Sequence, residues 1–378
     1  MSTITFKYIL PRGLITIALI ALAVWVIQYA RVQRMIRYEG YDYSSAAGLK
    51  LARYPEAQYD LGKDSWLKSK SLEAAGYFRQ AVSKAPVYIN AWLKLAEAES
   101  ALGNPEAASA ILGYTNELTA NVYRWKWKET LLAYDLGRED IFLGNLNFLI
   151  SRGTRIQDSF QLLDTWFQRD ADRTVQALDD ENLTAFLHWL MRWRRTASAL
   201  HVWQVIEKKK LVDSDLVLSM VNFLVSRRNI AEARSIWMMY TRQDGVTNGG
   251  FEAESTRSPF DWRYGTDRNR RWIIRRTGEY AVSGDYSLEV QFEGKENISF
   301  AGLQQLLPVD PGSSYVLTWG WKSRSITTDQ GLFVEVTGYD CRELHETGRM
   351  ITGTTDWTSE TIEFQVPATC PAAMIRLR

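Results

Sequence analysis

Residues that could carry out catalysis are few in the 378-residue sequence. The three histidines, His188, His201 and His345, are too far apart in sequence to suggest a histidine-rich metal centre. The sequence also lacks a phosphate-binding glycine loop, an HExxH pair and a GxSxG nucleophile motif. Paired carboxylates would leave no such motif, because acid–base partners can be distant in sequence. We predict that the chain is not an enzyme.

A strip of arginines offers a different kind of chemistry. The stretch 262–276 holds six arginines and one acid, Asp267, whereas the sequence after it is acidic overall. The six are Arg263, Arg268, Arg270, Arg271, Arg275 and Arg276. Because a guanidinium binds a carboxylate through two parallel hydrogen bonds, the strip could bind an acidic polymer. The alternative is that the arginines pair with acids of their own domain or are solvated.

The charge balance of the whole chain excludes one class of partner. The sequence has 45 basic and 44 acidic residues, with a formal net charge of +1. A polybasic nucleic-acid-binding protein would show a large positive excess, so we predict no nucleic-acid partner.

An uncharged apolar stretch occupies residues 13–30, near the N-terminus. As a helix it would be roughly 27 Å long, close to the hydrocarbon thickness of a bilayer. Arginines follow it within two turns, and Trp25 and Tyr29 lie near its end, where amphipathic rings favour the membrane interface. We predict a single-pass transmembrane anchor within residues 1–40, with the rest of the chain outside the cytoplasm. A cleaved signal peptide and a buried core helix are the alternatives.

The segment 41–242 carries apolar residues at the three- and four-residue spacing of helices, with internal similarity at a period of 34 residues. The recurring pairs are Leu102-Gly103 with Leu136-Gly137, and Ala199-x-x-x-Trp203 with Ala233-x-x-x-Trp237. One complete repeat contains Leu61-Gly62, Ala74, Phe78, Ala81 and Pro86. This pattern resembles tetratricopeptide-repeat proteins, most clearly over residues 57–120. The resemblance implies an all-α array of helical hairpins with a groove that binds a protein partner.

Nine of the fifteen tryptophans fall in this helical segment. They are Trp66, Trp92, Trp125, Trp127, Trp166, Trp189, Trp193, Trp203 and Trp237. We interpret them as packing between repeats, and a groove that stacks against a ligand is the alternative.

The pattern changes after residue 246, where short segments of alternating apolar and polar residues are separated by glycine- and proline-containing turns. This predicts an all-β sandwich or jelly roll over residues 247–378. The motifs along it are Asn248-Gly249-Gly250-Phe251-Glu252, Phe260-Asp261-Trp262, Ser283-Gly284, Gln304-Gln305 and Pro311-Gly312-Ser313-Ser314-Tyr315. In this order they resemble the jelly-roll carbohydrate-binding modules of the cellulose- and xylan-binding type.

That resemblance implies a sugar site in which flat aromatic rings contact the apolar faces of sugars. Trp272 and Trp357 lie in turn-rich polar surroundings and are the preferred stacking residues. Trp262 is a third candidate, with core packing as its alternative. Arg270 and Arg271 would contact the carboxylates of an acidic polysaccharide.

Two further features of the sandwich concern its stability. Glu252 matches the position of an oxygen ligand for the structural calcium ion that the resembling modules often hold. Cys341 and Cys370 are the two cysteines of the chain. In an oxidising compartment a disulfide between them would stabilise the fold by roughly 3–4 kcal/mol, and two buried thiols are the alternative.

Taken together, these features predict a multidomain chain: a transmembrane helix, a tetratricopeptide-like array and a jelly-roll sandwich. The combination resembles repeat-plus-sandwich proteins of bacterial envelopes. This resemblance implies an inner-membrane protein with most of the chain in the periplasm, which assists exopolysaccharide assembly or export. The repeats would bind a protein and the sandwich a polysaccharide. A protein-assembly scaffold whose sandwich binds no sugar is the alternative.

Overall fold

The computed structural model describes residues 6–38, 53–242, 245–296 and 298–378, which form thirteen α-helices followed by nine β-strands. The helices are α1 (Phe6–Tyr38), α2 (Pro55–Leu67), α3 (Ser71–Lys84), α4 (Ile89–Ala101), α5 (Pro105–Leu118), α6 (Tyr123–Asp135), α7 (Glu139–Ser151), α8 (Ile156–Trp166), α9 (Ala171–Ala177), α10 (Leu183–Arg192), α11 (Thr196–Lys208), α12 (Ser214–Ser226) and α13 (Ile230–Thr241). The strands are β1 (Arg263–Tyr264), β2 (Trp272–Thr277), β3 (Ser287–Phe292), β4 (Leu303–Leu307), β5 (Ser314–Ile326), β6 (Val334–Tyr339), β7 (His345–Thr347), β8 (Gly353–Gln365) and β9 (Ala372–Leu377).

Helix α1 corrects the prediction of a membrane anchor at residues 13–30. Within the part of the chain that the structure describes, no helix is both long enough and apolar enough to cross a membrane. The second half of α1 contacts the next helix instead, since the Tyr29 hydroxyl donates a 2.9 Å hydrogen bond to Glu56 and the Tyr29 ring lies 6.5 Å from that of Tyr54. The predicted fold class with a transmembrane helix, and the predicted single-pass location in the inner membrane, are therefore wrong.

The predicted helical repeat array is confirmed. Helices α2 and α3, α4 and α5, and α6 and α7 pack as successive pairs, and small residues let the helices of each pair approach closely. Ala74, Ala81 and Phe78 are fully buried in the first pair. Gly62 of α2 lies so near the Phe78 ring that an added Cβ would overlap it. Packing therefore requires a small residue at Gly62, Ala74 and Ala81.

The recurring glycines Gly103 and Gly137 lie where helices end. Gly103 and Gly137 follow α4 and α6 with φ of +81° and +67°, a left-handed conformation that glycine adopts without strain. The chain then closes each helix end through a backbone hydrogen bond of 2.9 Å, from Asn104 to Glu99 and from Arg138 to Ala133. The Leu-Gly repeat in the sequence is thus a helix-termination signal.

The chain divides into two compact units, Met1–Ala185 and Phe186–Arg378. The second unit contains the last helices together with all nine strands, so the predicted boundary between residues 242 and 247 falls inside it. Helix α13 contacts the segment before β1 through the Trp237 and Phe260 rings, which are 5.9 Å apart and buried. An ion pair of 3.1 Å joins Arg228, after α12, to Asp340, after β6.

The β domain has three antiparallel sheets. One has five strands in the order β1-β4-β9-β6-β7, and the other two are the strand pairs β2-β3 and β5-β8. Apolar residues of all three form one core, including Leu303, Val336 and Ile375 from the five-stranded sheet and Ile274 and Phe364 from the strand pairs. A disulfide between Cys341 and Cys370 joins the loop after β6 to the turn before β9, with 5.2 Å between the Cα atoms.

The close approach of Gly62 to Phe78 can be tested with alanine. Gly62→Ala is expected to destabilise the array by about 1–3 kcal/mol, because the new methyl group forces the Phe78 ring to move. Gly76→Ala on α3 is the matched control, since no atom lies within 4 Å of its added Cβ. Alanine should raise stability there by up to about 1 kcal/mol through helix propensity. Thermal unfolding followed by circular dichroism measures both, and equal shifts would contradict the packing argument.

Candidate functional site

The first helices of the first three pairs, α2, α4 and α6, carry aromatic and basic side chains that contact one another across the repeats. On α2, Tyr59, Lys63 and Trp66 follow at four- and three-residue spacing, so they share one side of the helix. The Lys63 amine lies 4.9 Å from the centre of the Tyr59 ring. The Lys94 amine, on α4, lies 6.0 Å from the Trp66 ring. These contacts connect α2 with α4.

The same contacts continue from α4 to α6. Asn90 lies one turn before Lys94, and its side-chain oxygen accepts a 3.2 Å hydrogen bond from the Trp125 indole nitrogen. The Lys128 amine lies 3.5 Å from the same oxygen. We name this surface the aromatic–basic face. Its residues are Tyr59, Lys63, Trp66, Asn90, Lys94, Arg124, Trp125 and Lys128.

A buried ion pair holds α6 in place behind this face. Lys126 and Glu129 are 3% and 0% exposed, and their charged groups lie 3.2 Å apart. The end of α5 adds two hydrogen bonds: Thr119, just after the helix, donates to Glu129 at 2.6 Å, and Lys126 donates to the Asn116 side chain at 2.7 Å. Since a buried charge without a partner is costly, this network fixes how α6 is rotated against α5. That rotation places Trp125 and Lys128 beside α4.

The charges on the aromatic–basic face are unevenly neutralised. Lys63 pairs with Asp60 at 2.7 Å, and Lys94 pairs with Glu97. Among the described residues, no carboxylate forms an ion pair with Arg124 or Lys128, which are both exposed. The α6 end of the face therefore has positive charge available for a ligand.

The phenol on this face stays in its neutral form. Burial raises the pKa of Tyr59, and the nearby carboxylates of Glu97 and Asp60 raise it further. The hydroxyl can therefore donate a hydrogen bond at any physiological pH.

This face was not predicted from the sequence, because Trp66 and Trp125 were expected to pack between repeats. A signal was present: residues 94 and 128 differ by 34, so the two lysines occupy the same position in successive repeats. Residues 90 and 124 have the same relation. Equivalent positions on stacked hairpins lie along one surface, so polar residues that recur with the period predict a binding face.

In the β domain, two of the predicted stacking residues belong to the packing. Trp262 is 8% exposed, lies 5.4 Å from the Phe251 ring, and donates its indole N–H to the Asn248 carbonyl at 3.2 Å. Trp272 is half-buried, with the Phe300 ring edge-on at 5.5 Å and the Arg271 guanidinium 5.1 Å from its ring centre. Neither indole offers an open face of the kind that sugar stacking requires.

Most of the predicted arginine strip is neutralised or tied to the backbone. Arg271 binds Asp267 through two hydrogen bonds of 2.9 and 3.0 Å, and Arg275 pairs with Glu289. The Arg271 guanidinium lowers the pKa of Asp267 to about 2. Arg270 is exposed, and in the described residues no carboxylate pairs with its side chain.

Trp357 lies in a different environment. On β8, the pairing with β5 is irregular between residues 355 and 358, so the alternation that buries Ile362 and Phe364 does not fix the side of the strand on which Trp357 lies. Trp357 itself is half-buried. Thr361 is exposed and hydrogen-bonds to Thr318 of β5 at 3.1 Å. In the part of the chain that is described, no other aromatic ring contacts Trp357. Of the three predicted stacking residues, Trp357 is therefore the one whose ring has no aromatic partner among the described residues.

The predicted calcium ligand has a hydrogen-bonding role. One oxygen of Glu252 accepts the backbone N–H groups of Asp285 and Tyr286, at 3.1 and 3.3 Å, in the turn before β3. A calcium ion needs six to eight oxygen ligands, whereas the nearest groups here are N–H donors. Within the described residues, the potential metal ligands that come close together are Cys341, Glu343 and Cys370, and the disulfide uses both sulfurs. These contacts do not supply the oxygen ligands of a calcium site, and calcium binding stays a prediction.

The Asp267–Arg271 contact gives a titration that can be checked. We expect the Asp267 carboxyl to titrate near pH 2 in the intact protein and near its ordinary value of 3.8 in Arg271→Ala. Because the folded-state pKa is lowered, the contact stabilises the fold above about pH 4, and this contribution is lost as the pH falls towards 2. Carbon-detected NMR of the aspartate side chains measures the midpoint. Arg270→Ala is the matched control and should leave it unchanged.

The comparisons with known proteins found no matching family model and no matching curated protein. Among solved structures, a structure from the functional characterization of Pseudomonas aeruginosa PilF is 15% identical, covers 51% of this chain and 78% of its own, and has a TM-score of 0.24. MamA from Desulfovibrio magneticus RS-1 is 8% identical, covers 50% and 93%, and has a TM-score of 0.24. The Naa15/Naa10 structure bound to HypK-THB is 13% identical, covers 57% and 43%, and has a TM-score of 0.27. TM-scores this low do not indicate a shared function.

Proposed function

We propose that the chain is a non-catalytic protein-interaction scaffold whose helical array binds an acidic segment of a partner protein. The observation that carries this proposal is the aromatic–basic face, where Lys94 and Lys128 repeat at equivalent positions beside half-buried aromatic rings. Aromatic rings supply apolar contact area at low entropic cost, and lysines supply charge complementarity. An acidic segment with apolar residues matches both.

The size of these effects predicts the character of the binding. An exposed ion pair contributes about 0.2–1 kcal/mol, so several pairs must act together with apolar contacts. Screening shortens the range of such charges as salt rises, with a Debye length of about 8 Å at physiological ionic strength. Binding should therefore be moderate in affinity and should weaken at high salt.

Charge reversal on the aromatic–basic face tests this proposal. Fluorescence anisotropy with a labelled acidic peptide containing leucine, at low salt, should show binding to the full chain. Lys94→Glu and Lys128→Glu should each weaken it by about fivefold or more, because each places a like charge against the peptide. Lys84→Glu, on the exposed end of α3, makes the same change of net charge outside this face and should have little effect.

Two results would count against the aromatic–basic face. A basic peptide of equal length that binds as tightly would remove the charge argument. An equal loss in all three variants would show that net charge matters and the face does not.

A second candidate function is favoured by Trp357. We propose that the outer face of β5 and β8 binds polysaccharide, with exopolysaccharides and acidic polymers as the first ligands to test. The half-buried Trp357 ring, which has no aromatic partner among the described residues, supports this proposal, together with exposed Thr318 and Thr361 and the Lys322–Asp356 ion pair of 2.8 Å on neighbouring positions. Hydroxyl and charged groups beside an aromatic ring provide the contacts that sugars need.

Affinity electrophoresis of the full chain through gels containing neutral or acidic polysaccharides tests this second function. Trp357→Ala should abolish the retardation that a binding neutral polymer causes, because the stacking surface is lost. Trp193→Ala is the matched control, since this tryptophan is 57% exposed in the helical part of the same unit. Unchanged migration of the full chain in every polymer would show that the outer face of β5 and β8 binds no polysaccharide.

A further inference from the structure

A small polar cavity lies in the β domain, and Trp357 is not among its lining residues. Its volume is about 240 Å³, and it is lined by Glu254, Ser255, Arg257, Tyr264 and Arg276. Drug-sized sites are larger, at roughly 300–1,000 Å³, so this cavity suits a ligand of about one sugar ring. We name it the loop pocket, since its first three residues belong to the loop before β1.

The loop pocket contains two guanidinium groups that no carboxylate neutralises. Arg276 donates to the carbonyl oxygens of Phe251 and Glu252, both at 2.6 Å, and its guanidinium lies against the Tyr286 ring. Arg257 is exposed, and among the described residues its side chain has no ion pair or hydrogen bond. Neutral carbonyls position Arg276 without cancelling its charge. The pocket therefore holds two positive charges against the single carboxylate of Glu254.

The loop that forms the pocket is held in shape by its own hydrogen bonds. Asp261, which is 3% exposed, accepts hydrogen bonds from the backbone N–H and the hydroxyl of Thr256, at 2.8 and 2.9 Å. The Ser255 hydroxyl accepts from the backbone N–H of Arg257 at 2.9 Å and donates to the Trp262 carbonyl. A loop fixed in this way loses little entropy when a ligand binds. The site is therefore preorganised.

The lining groups define the chemistry of the ligand. The two guanidinium groups favour a carboxylate, since arginine binds it through paired hydrogen bonds. The Glu254 carboxylate accepts hydrogen bonds from hydroxyls but repels a second anion. The Tyr264 hydroxyl can donate or accept a hydrogen bond, and the Ser255 hydroxyl, whose proton is donated to the Trp262 carbonyl, can accept one more. An acidic side chain of a peptide would satisfy the arginines alone. A ring that carries one carboxylate and several hydroxyls would satisfy all five residues.

We propose that the loop pocket binds a uronic acid, with its carboxylate at Arg257 and Arg276 and its hydroxyls at Glu254, Ser255 and Tyr264. The pocket gives acidic polysaccharides a point of recognition separate from Trp357. In this pocket the carboxylate of the ligand is bound by Arg257, which precedes the arginine strip, and by Arg276. Arg270 and Arg271 do not take part.

The proposal is tested with monosaccharides and the full chain. Titration with galacturonate, followed by saturation-transfer NMR, should show saturable binding, whereas galactose, which lacks the carboxylate, should bind at least about tenfold more weakly. Arg257→Ala should weaken galacturonate binding by about tenfold or more, and its fold should persist because the lost guanidinium has no contacts. Arg324→Ala, an exposed arginine on β5, removes the same charge elsewhere and should leave the binding unchanged.

Three outcomes would overturn the proposal: no binding of galacturonate, equal affinity for galactose, or unchanged affinity in Arg257→Ala. Glutarate, a dicarboxylate without a sugar ring, tests the competing occupant. If it binds as tightly as galacturonate, the pocket accepts an acidic peptide side chain and the sugar assignment is wrong. The monosaccharide tests the loop pocket, and neutral polymers test Trp357. Loss of binding at one site can therefore be distinguished from loss of binding at the other.

Discussion

The helical array depends on close approach between the two helices of a pair, which only small side chains permit. Gly62 lies against the Phe78 ring, and Ala74 and Ala81 are fully buried beside it. Because interiors are packed as densely as organic crystals, each pair has one arrangement rather than a range. Stacking of successive pairs brings residues 34 apart onto one surface. The aromatic–basic face is a consequence of this stacking, since the Lys94 amine reaches Trp66 of the preceding pair and the Lys128 amine reaches Asn90 of the pair before its own.

A second constraint acts at α6, where a lysine and a glutamate are buried together. Taking two charges out of water costs several kcal/mol per ion unless each finds close partners. Thr119 and Asn116 of α5 supply these partners, so the rotation of α6 that satisfies Lys126 and Glu129 is strongly preferred. The same rotation sets Trp125 against Asn90. The buried polar network of Lys126 and Glu129 thus fixes the position of the aromatic–basic face.

The sequence predicted the elements better than their roles. The 34-residue period identified the helical pairs, because small residues and aromatics recur only where packing demands them. Alternating residues with turn signals likewise indicated the strands after residue 246. Burial could not be predicted in the same way: Trp272 stands in turn-rich sequence, yet it packs against the core because distant strands cover it. The uncharged stretch at 13–30 suggested a membrane helix by composition alone, and its contact from Tyr29 to Glu56 was invisible to that argument.

The arginines show most clearly why composition does not locate a site. A run of arginines in sequence becomes an anion site only where their charges remain unpaired after folding. Asp267 neutralises Arg271, and Glu289 neutralises Arg275 across the β2–β3 pair, because antiparallel pairing places these two residues opposite each other. Arg276 escapes neutralisation because its partners are carbonyl oxygens, and Arg257 because no carboxylate of the described residues forms an ion pair with it. The two arginines of the loop pocket, at positions 257 and 276, therefore keep unpaired positive charge, although they are 19 positions apart in the sequence.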